Sequence, residues 1–285
     1  DKLSGIFFTR SPGSPFDSLH KRDFTMRRKN MIKKVFALTA ALTLLTTLAA
    51  CGNSDDNKNV EPGSTQVQVD QITCHAKYKE AMQNMLDNRV FPNGEQLYVN
   101  DGDEDSVWGD NQFAITDIDG DGMDELLINF NNAPVVGEVF YIFKYDQEKD
   151  AVTEEFSEFP AVDFFDNGYV TVGASHNQGL AGDFWPYEIY KYDADKDAYE
   201  MKYYIDAWSK EFFPEDFDGN PYPDAVDTSK TGLVYYIYED LTKSVDPVDK
   251  SAYDKIVAET YGPAAEVTVD YKDITQENIN AITSA

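Results

Sequence analysis

An acidic, glycine-rich loop set between two apolar runs constrains the fold of this chain more than any other feature. Residues 113–115 are apolar and lead into the acidic segment 117–125, and the apolar run 126–128 follows it. Short apolar runs bounded by turn residues are typical of strands. The pattern therefore predicts two strands joined by the acidic loop, rather than two helices around it.

The acidic loop has the spacing of a calcium site. Calcium takes about six to eight hard oxygen ligands, and carboxylates at alternate positions of a tight loop can all point inward. The predicted ligands are the carboxylates at loop positions 1, 3, 5 and 9 and the carbonyl at position 7: Asp117, Asp119, Asp121, Glu125 and Met123. Gly120 and Gly122 permit the positive φ angles of such a turn. Asp124 is expected to face outward. The alternative is an Asp/Gly-rich turn without metal.

This loop resembles the DxDxDGxxE/D loops of FG-GAP and VCBS-type repeats and is similar to dockerin calcium loops. The resemblance covers about sixteen residues and implies that the loop binds calcium. It departs from the EF-hand, in which position 12 is a bidentate glutamate, because Ile128 stands at that position.

A second segment has a weaker form of the same pattern. Its oxygen-bearing residues at positions 1, 3, 5 and 9 are Asp216, Asp218, Asn220 and Asp224. Pro221 stands at position 6, where the left-handed conformation is needed, and its fixed φ forbids that conformation. The segment is therefore a possible weak second metal site, and a plain surface turn is the favoured interpretation.

An internal repeat indicates paired β-hairpins. The Lys-Tyr-Asp sequence at 144–146 recurs 47 residues later at 191–193, and each copy is followed by a polar turn and a second strand-like run. The spacing is near the length of a propeller blade, but two copies cannot close a propeller. The repeat therefore predicts an antiparallel meander.

Helices are predicted at both ends of the folded region. Tyr78, Met82, Met85 and Leu86 have the spacing of one amphipathic face. Near the C-terminus, a capping box at Ser251 predicts a helix through Glu259, residues 266–271 alternate as a strand, and Thr275 caps a last short helix. The predicted fold class is α+β, a mostly antiparallel meander with terminal helices, in a single domain spanning 70–285.

Residues 26–50 have the features of an export signal. A basic region at 27–34 precedes an apolar run at 35–50, which is too short for a comfortable bilayer span. The run ends in Leu-Ala-Ala-Cys at 48–51, which resembles the lipobox of bacterial lipoproteins. That resemblance implies a diacylglyceryl group on Cys51 and cleavage just before it. An ordinary signal peptide or a buried helix is the alternative.

The segments on either side of the export signal are interpreted in relation to it. Residues 51–69 are small and polar and predict a flexible tether, while residues 1–25 fit no part of the scheme and are interpreted as an upstream extension that is not native. Met26 or Met31 is the natural start. We therefore expect an extracytoplasmic protein held on the outer face of the cytoplasmic membrane through Cys51. The order of these segments resembles a loose group of uncharacterised lipoproteins from Gram-positive gut-type bacteria, which implies export and calcium binding but no reaction.

The charge of the chain excludes one class of partner. Acidic residues outnumber basic ones by 52 to 24, which gives a net charge of −28. Such a field repels nucleic acid and attracts cations. Cys51 and Cys74 are the two cysteines, so lipidation of Cys51 leaves no partner for an intrachain disulfide.

No standard catalytic motif is present: HExxH, GxSxG, the P-loop and GxGxxG are all missing from the sequence. The leading hypothesis is therefore a calcium-stabilised binding module with a glycan or protein as ligand, and this hypothesis is favoured over an enzyme. Its aromatic segments (184–187, 203–204, 208 and 235–236) are candidates for that contact, although core packing is the favoured interpretation. The alternatives are a cell-envelope or glycan hydrolase with paired carboxylates and a surface scaffold with purely structural calcium.

Overall fold

The computed structural model describes residues 62–97, 108–109, 111–131, 133, 137–174 and 181–282, with side chains from residue 71 onward. These ranges belong to one compact unit, Asn59–Ala285. The predicted extension, the signal peptide, Cys51 and the first part of the tether lie outside the described residues. None of the helices in the described ranges combines the length and the apolarity needed to span a membrane.

The N-terminal helix α1 spans Pro62–Asn88. Its predicted apolar face is confirmed, because Tyr78, Met82 and Met85 are fully buried. The helix begins at Pro62, within the segment 51–69 that is predicted as a flexible tether. Proline fits the first turn of a helix, where its missing N–H has no intrahelical partner to lose.

Two five-stranded antiparallel sheets follow the helix, and they confirm the predicted α+β class with a meander topology. The first sheet has the order β10-β1-β2-β3-β4, with strands β1 (Gln112–Thr116), β2 (Glu125–Phe130), β3 (Val139–Asp146), β4 (Ala151–Glu158) and β10 (Lys272–Asp273). The second sheet has the sequential order β5 to β9, with strands β5 (Val162–Phe164), β6 (Tyr169–Gly173), β7 (Tyr187–Asp193), β8 (Ala198–Ser209) and β9 (Leu233–Tyr238).

The first sheet is the middle layer of the fold. Successive side chains of a strand point to opposite faces, and in β2 both faces are buried. Leu126 and Ile128 pack with Tyr78 on the side of α1. Leu127 packs on the opposite face with Val170 of the second sheet. This two-sided burial explains why residues 126–128 form a continuous apolar run instead of alternating with polar residues.

The sequence repeat is a structural repeat. The first hairpin (β3–β4) and the second hairpin (β7–β8) each shift register once, between Ile142 and Phe143 and between Ile189 and Tyr190, at positions 47 residues apart. Each shift is a β-bulge, and the extra residues opposite them are Glu155 and Lys202. The two copies therefore share strands, turn and bulge.

The helices of the C-terminal half are short. They are a 3₁₀ helix (Asp224–Asp227), α2 (Lys250–Glu259) and α3 (Gln276–Asn280). The predicted cap of α3 is confirmed, because the Thr275 side chain accepts a hydrogen bond from the backbone N–H of Asn278. The predicted capping box at Ser251 is wrong: Asp249 is the N-cap of α2 and accepts from the backbone N–H of Ser251. Asp249 accepts better than a hydroxyl at this position because its carboxylate also complements the helix dipole.

The predicted strand 266–271 is also wrong. One isolated bridge joins Glu266 to Phe165, and Val267 donates its N–H to the Phe164 carbonyl. The apolar side chains of Val267 and Val269 still pack into the core between the sheets. The alternation of this segment therefore reflects one buried side rather than pairing with a second strand.

Candidate metal centre

The acidic loop connects β1 to β2 at one end of the first sheet. Three of its five predicted ligands converge: Asp117, Asp119 and Glu125 each offer a carboxylate oxygen, and these oxygens lie within 4.8 Å of one another. Asp119 is half-buried and Glu125 is buried. Calcium takes about six to eight hard oxygen ligands, and three such donors are available at this point of the loop.

Hydrogen bonds from the loop backbone hold these carboxylates in place. Asp117 accepts from the N–H groups of Gly120, at 2.8 Å, and Gly122, at 3.1 Å. Both glycines have positive φ angles, 82° and 94°, as the turn requires. Glu125 accepts from the N–H of Ile118 at 2.8 Å. A carboxylate has about four lone-pair sites, so each keeps oxygen lone pairs for a cation after these bonds are made.

One predicted carboxylate stands apart from the converging set. Asp121 is exposed and accepts from the N–H of Met123 at 2.7 Å. The predicted ligand atom of Met123 is its carbonyl oxygen, and its side chain packs against the core cluster on the helix side of the first sheet. The structure therefore brings together three of the four predicted carboxylate ligands.

The prediction that Asp124 faces outward is wrong. Its carboxylate lies 2.7 Å from Nε2 of His75, and its carbonyl accepts from the Cys74 thiol at 3.3 Å and the Tyr78 hydroxyl at 2.8 Å. Gln71 adds a hydrogen bond to the carbonyl of Gly122 at 3.2 Å. Helix α1 thus holds the end of the loop through the side chains of four residues.

The Cys74 thiol is one of the α1 groups that contact the end of the loop. Burial raises its pKa to about 11, with a smaller contribution from the carboxylate of Asp124. A thiolate is the nucleophilic form of cysteine. Cys74 is therefore a packing and hydrogen-bonding residue here rather than a nucleophile.

A second group of carboxylates, which the sequence did not predict, adjoins the loop. Asp119, Glu155 and Asp197 offer oxygens that again lie within 4.8 Å of one another, so Asp119 belongs to both groups. Glu155 is the extra residue of the β4 bulge. Asp197 ends the turn of the second hairpin with a φ of 52°. The bulge re-aims Glu155 out of the strand's alternation, as bulges near functional sites commonly do.

Glu155 is the most deeply buried acid of this second group. Its side chain is 1% exposed, and neither carboxylate oxygen has a hydrogen-bond partner. The ammonium of Lys144 lies 3.5 Å from one of these oxygens, which is an ion pair without hydrogen-bond geometry. Lys144 also pairs closely with the Asp197 carboxylate and donates to its carbonyl at 3.2 Å.

Two tyrosines of the second hairpin adjoin both groups. The hydroxyl of Tyr192 donates to Asp197 at 3.0 Å and also interacts with Asp119. The hydroxyl of Tyr199 is buried without a hydrogen-bond partner. Burial raises the pKa of Tyr199, and the charge of Glu155 raises it further. The second sheet therefore forms one wall of the carboxylate cluster.

Burial and mutual repulsion raise the pKa values of the acids in the cluster. Desolvation raises the pKa of Glu125 to about 9, and the charge of Asp119 adds to it. Desolvation raises the pKa of Glu155 to about 7 against the opposing effect of Lys144. The pKa of Asp119 is raised by the same cause. Each charge is costly in this environment, so a cation that neutralises them is favoured.

The second predicted loop is folded on itself. Asp216 accepts from the N–H groups of Asp218, at 2.9 Å, and Asn220, at 2.8 Å, and Asp224 begins the 3₁₀ helix. Among the described residues these acids form no converging group. The arrangement is that of a surface turn stabilised by its first side chain.

The aromatic segments have mixed roles. Tyr235 and Tyr236 are buried, and Phe184 packs edge-to-face on Tyr235. Trp208 packs at 4.5 Å on Phe217, which is itself 59% exposed. Trp185 is 50% exposed. Most of the candidate contact residues therefore serve the core, and Trp185 is the one that is widely exposed.

The donor set fits calcium at the loop. Carboxylate oxygens are hard ligands, and an acidic set without sulfur or imidazole suits Ca²⁺ better than zinc or copper. One signal for Glu155 was present in the sequence, because the adjacent pair Glu154-Glu155 interrupts the alternation of apolar and polar residues along the strand. Nothing local to Asp197 distinguishes it from Asp150, which occupies the same position in the first hairpin.

Comparison with known proteins returns no relative: no family model, no curated protein and no solved structure matches the chain.

Proposed function

We propose that this protein is an extracytoplasmic, lipid-anchored binding module whose acidic loop takes up calcium. The observation that carries the proposal is the convergence of Asp117, Asp119 and Glu125 within 4.8 Å, on a loop that α1 and the second hairpin hold from two sides. The FG-GAP-like spacing of the same residues supports it independently of the geometry.

Calcium suits the proposed location. Extracellular modules bind it with dissociation constants on the order of 10⁻⁴ to 10⁻³ M, which matches millimolar calcium outside the cell. Binding to the folded state alone stabilises that state by about 1.4 kcal/mol at ten times the dissociation constant. The loop would then be ordered where the protein works and weakened wherever calcium is removed.

The test is the thermal midpoint of the full chain with millimolar calcium and with excess chelator. We expect calcium to raise the midpoint by about 3–6 °C for a domain of this size. Asp119→Ala removes this response, because Asp119 belongs to both groups of carboxylates. The matched control is Asp216→Ala, which removes a similar turn carboxylate and keeps the response. A response that survives in Asp119→Ala would refute calcium binding at this loop.

The membrane anchor rests on the lipobox-like sequence ending at Cys51 and has its own test. In a bacterial host supplied with a tagged fatty acid, we expect the chain to carry the label and to sediment with membranes. Cys51→Ser loses both properties. Cys74→Ser, the matched control at the other cysteine, keeps both. A label that persists in Cys51→Ser would contradict the anchor.

A hydrolase with paired carboxylates is the second candidate, and the raised pKa values of Glu125 and Glu155 are the feature that favours it. A general acid must also reach its substrate. Two surface cavities of the described part are lined by other residues, one around Tyr253 and one around Tyr187 and Tyr261. The geometry therefore supports cation binding better. Release of reducing sugar from cell-wall glycan, lost in Glu155→Gln, would reverse this preference.

A further inference from the structure

We propose that Asp119, Glu155 and Asp197 form a second cation site, next to the loop site and specific for a hard divalent ion such as Ca²⁺. The proposal shares Asp119 with the proposed function but does not require the loop to be occupied. It assigns a role to two residues that lie outside the loop motif and on different sheets.

Glu155 is a buried carboxylate without a hydrogen bond. Its side chain is 1% exposed, and both of its oxygens lack a hydrogen-bond partner. Buried polar groups in proteins are almost always hydrogen-bonded, and a buried carboxylate without a hydrogen bond is a costly exception. The ion pair with Lys144, at 3.5 Å, is the contact that one of these oxygens has. One oxygen each from Glu155, Asp119 and Asp197 lie within 4.8 Å of one another. A cation among these three oxygens supplies Glu155 with a close partner.

The bulge itself does not explain why a buried acid stands at this position. In the second hairpin the equivalent bulge is filled by Lys202, whose side chain is 38% exposed, so the bulge requires neither an acidic nor a buried residue. In the first hairpin the same backbone feature directs a glutamate into the protein. The fold therefore tolerates a solvated residue at this position, and the burial of Glu155 needs a different explanation.

The negative charge of the two carboxylate groups exceeds the positive charge beside them. The two groups together contain five carboxylates, and Lys144 is the ammonium that contacts them among the described residues. Two divalent cations together with Lys144 match five ionised carboxylates. One divalent cation with Lys144 leaves two negative charges in a partly buried cluster, where their repulsion is poorly screened.

Lys144 competes for the same oxygens. Its ammonium contacts both Glu155 and Asp197, so a cation entering the site must displace it from Glu155. Its side chain is 27% exposed, so its ammonium has room to move away from Glu155 and stay paired with Asp197. An occupied site would join β4 of the first sheet to the turn of the second hairpin through the ion.

The experiment measures the number of calcium ions bound per full chain, by equilibrium dialysis up to about ten times the expected dissociation constant. We expect two ions for the wild type. Asp117→Asn, which affects the loop group alone, leaves one ion, and Glu155→Gln, which affects the second group alone, also leaves one. Lys144→Met tightens the second binding step several-fold because it removes the competitor.

The matched control uses the repeat. Asp197→Asn keeps the positive φ, which asparagine tolerates, and weakens the second step at least tenfold. Asp150→Asn makes the identical change at the equivalent turn of the first hairpin, where φ is 50°, and leaves two ions. Because Asp197 is exposed at the end of a turn, Asp197→Asn decides the question if Glu155→Gln does not fold.

The outcomes separate the two proposals. One ion in the wild type, lost in Asp117→Asn and kept in Glu155→Gln and Asp197→Asn, would overturn the second site and leave the loop site standing. One ion that is lost in Glu155→Gln and kept in Asp117→Asn would support the second site and refute the loop. An unchanged stoichiometry in Lys144→Met, with two ions and no tighter step, would refute the role assigned to Lys144.

Discussion

The two hairpins have the same framework and different chemistry. In each, a tyrosine of the first strand donates to the aspartate that ends the turn, at 2.8 Å from Tyr145 to Asp150 and at 3.0 Å from Tyr192 to Asp197. In each, that aspartate also pairs with a lysine from the preceding part of the chain. The framework alone therefore does not make a cation site.

The difference lies in what each hairpin faces. The Asp150 side chain, which is 66% exposed, pairs with the ammonium of Lys77 on α1 at 2.9 Å. Asp197 lies against the acidic loop and the buried Glu155. The bulged residue of the first hairpin is an inward acid, and that of the second is the outward Lys202. Duplicated backbone geometry supplies positions, and the neighbouring elements decide which of them carry chemistry.

The largest expected effect tests the shared framework. Ile142 and Ile189 occupy the same position beside the two bulges, and both are fully buried. Replacing either with alanine leaves a cavity that costs about 2–5 kcal/mol of unfolding free energy. Urea denaturation measures both variants. A loss below about 1 kcal/mol in one of them would show that this hairpin is not part of the common core.

A smaller effect distinguishes the two bulged residues, Glu155 and Lys202, by the pH dependence of the free energy of unfolding. The pKa of Glu155 is raised to about 7 in the folded state, so between about pH 4.3 and 7 the folded chain binds a proton that the unfolded chain has released. Without metal, stability therefore falls as pH rises through this window, by on the order of 1–3 kcal/mol.

Glu155→Gln removes its part of this slope, while Lys202→Gln, the change at the equivalent bulge, leaves the slope as it is. Chemical denaturation in chelator at several pH values gives the slopes. The buried Glu125 contributes a separate decline toward higher pH, because its pKa is raised to about 9. Equal slopes in Glu155→Gln and the wild type would contradict the burial of an ionisable group at this bulge.

The smallest effect concerns the paired tyrosines. Tyr192→Phe removes a hydroxyl that contacts Asp197 and Asp119, and a hydrogen bond of this kind contributes about 0.5–1.5 kcal/mol. We therefore expect calcium affinity to fall by up to roughly tenfold. Tyr145→Phe removes the equivalent hydroxyl, which contacts Asp150, and leaves the affinity unchanged. Calorimetric titration with calcium compares them, and equal losses would place the cation site elsewhere.

Local pattern was sufficient for most of the elements, although not for the strand predicted at 266–271, and for part of the site. The face formed by Tyr78, Met82 and Met85 follows from helical spacing, and the convergence of Asp117, Asp119 and Glu125 follows from their alternation in a tight turn. The repeat at 47 residues predicted the paired hairpins. Each of these features depends on residues close together in the chain.

The remaining features depend on tertiary contacts. Asp124 faces inward because His75, Cys74 and Tyr78 of α1 meet it there. Asp197 joins Asp119 because the second sheet packs on the first. A sequence gives no direct measure of which of two equivalent turns will lie beside the acidic loop, and this is why the second group of carboxylates was not predicted.

The most direct test of calcium binding at the loop is a crystal structure of the protein with calcium, collected with its anomalous signal. We expect an anomalous peak about 2.3–2.6 Å from oxygens of Asp117, Asp119 and Glu125. At saturating calcium, the same three carboxylates without a peak between them would contradict it.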